Sequence, residues 1–71
     1  MEIIYVRLLN EGVDVYRPVS AIQIDKNLYK IPEDTLYDAE DETWEFLPGS
    51  SILVSEKQIG NETVLVAIRC T

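Results

Sequence analysis

Histidine is absent from this chain and cysteine occurs once, at Cys70. No internal disulfide can form, and the chain's own residues cannot assemble a Cys/His zinc site or a His-dependent catalytic triad. Arg69 is the only basic neighbour of Cys70, so little draws the thiol toward the thiolate, and the residue is expected as a small buried hydrophobe on a strand face. Gly12, Gly49 and Gly60 stand alone in separate turns, which excludes a glycine-rich phosphate loop. No apolar run approaches the roughly 20 residues of a membrane span. The opening MEIIYVRLLNEG has an acid where a signal peptide carries its basic region, so a cytoplasmic protein with no membrane role is expected. Disorder is disfavoured by an apolar fraction of 46% with only three prolines. At 71 residues the chain has room for a single domain, 1–71, with one small core. A chain of this mass buries only about 62% of the surface it exposes when unfolded.

Basic residues are scarce too, six against thirteen acids, for a net charge of −7. Between positions 33 and 45 lie Glu33, Asp34, Asp38, Glu40, Asp41, Glu42 and Glu45 without one basic residue. The remaining acids are matched in number by Arg7, Arg17, Lys26, Lys30, Lys57 and Arg69, so the whole net charge resides in one segment. Such a field repels phosphate backbones and steers basic partners toward itself. The plain structural alternative is an acidic loop that only keeps a small protein soluble.

Along the chain, EIIYVRLL at 2–9 alternates as a strand, with Ile4, Val6 and Leu8 on one face, and turns at Asn10 to Gly12. VDVYRPVSAIQI at 13–24 is extended and β-branched, with Val15, Val19 and Ala21 sharing a parity that Ile22 and Ile24 break. That switch predicts a bulge or bend near Ala21, and Pro18, which cannot donate to a ladder, predicts an edge or bulge there. LYKI at 28–31 should pair back onto 21–24 as a hairpin. Residues 32–49 read as a long acidic loop, with Asp34 or Thr35 available to cap one helical turn. Trp44, Phe46 and Leu47 are expected to bring it back to the body, and Pro48-Gly49 to turn the chain. Strands at 50–59 and 63–70 follow, joined through 60–62. The prediction is an all-β domain, a small five-stranded SH3-like barrel with one long acidic loop at about 32–49. An open five-stranded sheet with the loop packed across one face is the alternative.

These segments resemble a group of short, mostly uncharacterised bacterial proteins. The likeness rests on Glu11-Gly12, on the stretch Tyr16, Arg17, Pro18 and Val19, and on Trp44, Phe46, Pro48 and Gly49. Tyr16 stands where tryptophan is the more usual residue of that group. The resemblance spans most of the chain and implies a fold without an activity. In size and acidity the chain is also similar in type to immunity proteins that neutralise basic nuclease toxins.

Arg17, between Tyr16 and Pro18, is expected to act structurally, tied to carbonyls or to a carboxylate such as Glu45, or stacked on Trp44 or Tyr16. Trp44 and Phe46 fit core or lid packing, with an aromatic contact surface alongside Tyr37 as the alternative. The run DAEDE at 38–42 lacks the central glycine of a calcium loop, so no metal and no cofactor is expected. Tyr37, Asp38, Glu40, Asp41, Glu42 and Glu45 form the candidate partner-binding set. The functional expectation is a non-enzymatic, immunity-like binder that occludes a basic protein partner, acting as a monomer or weak homodimer. A structural or regulatory barrel is the competing class, and an SH3-like nucleic-acid binder is disfavoured by its scattered Lys26, Lys30 and Lys57.

Overall fold

Alternating aliphatic residues at Ile4, Val6 and Leu8 give β1 (Glu2–Leu9) one fully buried face. In the computed structural model, which describes residues 1–71, this strand is the hub of a single six-stranded sheet without helices. It is followed by β2 (Tyr16–Asp25), β3 (Leu28–Lys30), β4 (Thr43–Trp44), β5 (Ser51–Ile59) and β6 (Glu62–Cys70). With no helix present, none is long and apolar enough to cross a membrane.

β1 pairs antiparallel with β2, from Glu2 opposite Ala21 to Arg7 opposite Tyr16. β2 continues onto β3, β3 onto β5 and β5 onto β6, all antiparallel. A parallel contact between Tyr5 and Val66 returns the ladder to β1, so the hydrogen-bonded pairings form a ring. An open sheet with two free flanks is not what forms.

Strand number and boundaries need correction. A sixth strand, β4, runs beside Leu8 and Leu9, because Trp44 and Phe46 bury their rings in the core and draw Thr43–Trp44 alongside the end of β1. β2 starts at Tyr16 and not at Val13, which stays exposed in the preceding loop. The bend near Ala21 takes the form of a change of partner. Ala21 still pairs with β1 while Ile22 pairs with Lys30 of β3, and the register irregularity falls later, between Gln23 and Asp25. Ile22 and Ile24 are exposed, since the parity break turns them outward instead of onto a second wall. No helical turn forms at Asp34 or Thr35; the Thr35 N–H donates to the Pro32 carbonyl in a tight turn. Leu47 remains about half exposed, on the side of the chain away from Trp44 and Phe46. Cys70 is exposed, because burial along β6 is confined to Val66 and Ala67.

The core gathers Ile4, Val6, Val19, Ala21, Tyr29, Ile31, Ile52 and Val54 with Trp44 and Phe46 of the 32–49 segment. Each fully buried aliphatic contributes about 1.5 to 3 kcal/mol relative to an exposed one. Tyr29 keeps its hydroxyl satisfied by donating to Glu2 Oε2 at 2.5 Å, across the ring from β3 to β1. The hydrogen bond from the Tyr29 hydroxyl to the Glu2 carboxylate, reinforced by burial, holds this phenol above its ordinary pKa.

Two glycines shape the connections. Gly60 at φ 61° takes the first central position of the turn between Ile59 and Glu62, the place where a II′ hairpin needs glycine. Gly49 at φ 92° lets its N–H reach the Ile31 carbonyl at 2.7 Å, while the Ile31 N–H donates to the Ser50 carbonyl at 3.0 Å. These two bonds close the neck of the acidic loop, and a Cβ at Gly49 would meet Glu33 Cγ at 3.2 Å.

Candidate functional site

Between that neck and β4 the loop is organised by its own backbone. The Asp38 carbonyl accepts from the N–H groups of Asp41 and Glu42, and Asp38 Oδ1 accepts from the Glu40 N–H at 2.9 Å. This arrangement gathers the 38–42 run into one tight turn, with Asp38, Glu40 and Asp41 exposed. Tyr37 packs edge-on against Trp44, ring centroids 4.9 Å apart at 60°, and is half-buried. Trp44 and Phe46 are 6% and 9% exposed, so they anchor the loop from below and form no contact surface of their own. Pro48 and Gly49 complete the return at the neck.

Arg17 pairs with Glu42, not with Glu45. Its Nε donates to Glu42 Oε1 at 3.0 Å and its Nη2 to Glu42 Oε2, a two-point ion pair. Trp44 Nε1–H donates to the same Glu42 Oε1 at 3.0 Å. Strand parity explains the choice. Glu42 shares its side of the chain with Trp44 and Phe46, and Arg17 shares its side with Val19 and Ala21, so both reach the rim of the core. Glu45 has the opposite parity and points to solvent, contributing only its N–H, which donates to the Arg7 carbonyl at 2.8 Å.

The hydrogen bonds from Arg17 and then Trp44 hold the Glu42 carboxyl below its ordinary value of 4.5, and the Arg17 guanidinium is raised in turn. A carboxyl depressed on folding adds stability above its unfolded pKa and loses it as pH falls through the folded one. The denaturant midpoint of the wild type should therefore fall below about pH 4.5, more steeply than that of Glu42→Gln. Urea titrations of both proteins from pH 6 downward read the difference, and parallel profiles would contradict the ion pair.

Of the remaining bases, Arg7 pairs with Asp14 at 3.3 Å. Lys57 Nζ donates to the Tyr16 hydroxyl at 2.9 Å and lies 5.1 Å from the ring centroid, and the hydrogen bond raises its pKa. Tyr16 thus faces outward, on the other side of β2 from the core.

A groove of about 860 Å³ separates the loop from β2. One wall is Arg17 to Ser20 of β2, and the other runs from Thr35 to Asp38 with Asp41 and Glu42. Charge and alternation do not reveal this groove, which depends on where β3 stops, and its one sequence signal is Pro32 just past that strand. Compared with protein-family models, curated proteins and solved structures, the chain shows no match in any of the three.

Proposed function

We propose that this chain is a small acidic binding protein whose 32–49 loop covers a basic surface on a protein partner, without catalysis, in the manner of an inhibitor or immunity protein. The ring of strands is read as an SH3-like barrel, monomeric or weakly dimeric and cytoplasmic, in keeping with the resemblance to short bacterial proteins. One observation carries the reading. Arg17, the base that reaches the loop, is engaged by Glu42, so Asp38, Glu40 and Asp41 are left as uncompensated carboxylates on a turn fixed from both sides. A preset cluster of one sign accelerates encounter with a partner of the other sign, and solubility alone does not call for a turn that is anchored through Trp44.

The test begins with affinity capture from the native cell at low and then moderate salt. The association rate of the captured partner is then compared between wild type and the triple variant Asp38→Asn, Glu40→Gln, Asp41→Asn. Asn and Gln retain the hydrogen-bond acceptors of the turn, so folding should be preserved. Association at low salt should slow by about tenfold and lose part of its salt dependence. Equal rates with equal salt slopes would reduce the loop to a solubilising surface.

A further inference from the structure

β2 has ten residues and β3 only three. The register that sets Gln23 opposite Tyr29 and Ile22 opposite Lys30 would next set Ser20 opposite Pro32. Proline has no N–H to give, and there the chain leaves β2, while on its other side Ile31 still bonds Ser50 in continuation of the β3–β5 ladder. The track that β3 would have followed beside β2 is therefore vacant, and the groove between β2 and the acidic loop lies along it.

The backbone polarity of β2 can be assigned. The Leu8 N–H donates to the Val15 carbonyl at 2.8 Å, and in an antiparallel ladder alternate residues exchange both bonds, so Arg17, Val19 and Ala21 point their peptide groups toward β1. Pro18 and Ser20 point theirs into the groove. The Pro18 carbonyl and the N–H and carbonyl of Ser20 make no backbone bond there, and both residues are exposed. Facing them are Asp38 and Asp41, which form no salt bridge, and Leu36, 92% exposed.

We propose that this groove receives an extended, lysine- or arginine-bearing segment of a protein partner, added as a strand to the free edge of β2. The Pro18 and Ser20 backbone groups would hold the segment's main chain. Asp38 and Asp41 would take its cations, and Leu36 an apolar side chain between them. Main-chain bonds supply affinity in strand addition while pockets and charges supply choice. The occupant follows from charge, since an acidic segment would meet two unpaired carboxylates. Because the Pro18 position offers no donor, two copies of this edge cannot exchange a full ladder, which disfavours self-pairing. The inference rests on the basic-partner reading above and adds the mode of docking.

The probe is a blocked hexapeptide of alternating threonine or valine with lysine, titrated into the ¹⁵N-labelled protein, beside a control with glutamate for lysine. Shifts at Arg17, Val19 and Ser20 together with Leu36 to Asp41, slowed exchange of the Ser20 amide, and no response to the control are expected. Ser20→Pro removes the outward N–H without touching the bonds to β1 and should weaken binding about tenfold. Retained far-UV circular dichroism and a retained denaturant midpoint establish that this variant folds. Asp38→Asn with Asp41→Asn leaves the edge intact and should weaken binding while flattening its salt dependence. Shifts confined to 38–42 with Ser20→Pro binding as wild type would overturn the strand addition and leave the acidic surface standing. Absence of any shift at millimolar peptide would overturn the groove as a docking site, whatever the captured partner does with the loop.

Discussion

Trp44→Ala is expected to destabilise the protein by about 3 to 5 kcal/mol, the range for truncating a large buried aromatic. The ring is 6% exposed, meets Tyr37 edge-on and donates to Glu42, so one substitution removes core volume, an aromatic contact and the hydrogen bond that helps to orient the Arg17 partner. A domain of this length has a total stability of roughly 4 to 11 kcal/mol, so the variant should be partly or largely unfolded at room temperature. Trp44→Phe keeps most of the packing and loses the indole donor, and should cost only about 1 to 2 kcal/mol. Denaturant titrations of both variants decide the matter. A loss under about 1 kcal/mol for the alanine variant would mean that the ring contributes little to the core.

The second large effect is expected at Ile31, which is fully buried and sits at the neck of the acidic loop. Ile31→Ala should cost about 2 to 5 kcal/mol and Ile31→Val about 0.5 to 1.5 kcal/mol, a graded response that marks a close-packed site. The side chain fills the core while its backbone holds Gly49 and Ser50, so a cavity beneath it loosens the neck as well. Exchange of the Gly49 amide should therefore accelerate in Ile31→Ala by more than in a core variant far from the loop, such as Val54→Ala. Native-state hydrogen exchange with matched denaturant curves separates the two effects. Equal acceleration of Gly49 in both variants would show that the neck opens only with global unfolding.

Strand positions were legible because period-two alternation survives wherever one face is buried, as at Ile4, Val6 and Leu8. β4 was not legible. Two residues carry no period, and their pairing with Leu8 and Leu9 follows from where the Trp44 ring is buried. The same parity rule, carried one step further, distinguishes Glu42 from Glu45 as the mate of Arg17, since only Glu42 shares a side with Trp44 and Phe46. Charge alone does not make that distinction, because both acids flank the tryptophan. The exposure of Cys70 lay beyond pattern reading, because burial of such a residue depends on which neighbouring strand reaches it, whereas the parity break at Ile22 and Ile24 was legible and only its outcome, solvent in place of a second wall, was not. The groove beside β2 is a third kind of feature. It arises from the unequal lengths of two paired strands, and its one sequence signal is Pro32 placed where Ser20 would need a donor.

The Tyr5–Val66 contact joins opposite ends of the chain, whereas β5 and β6 meet across a turn of two residues. Closing a long loop forfeits chain entropy before any contact rewards it, and a tight hairpin forfeits little. Assembly of the ring is thus expected to begin at the β5–β6 and β1–β2 hairpins, whose connections are short, and to finish when β1 meets β6. Until then the facing edges of β1 and β6 are bare, and the interval before they meet is when the chain is most open to pairing with another molecule. Crowded or concentrated refolding should expose that interval as loss to aggregates, and a free β1 peptide, by occupying the β6 edge, should compete with the chain's own β1 and slow closure.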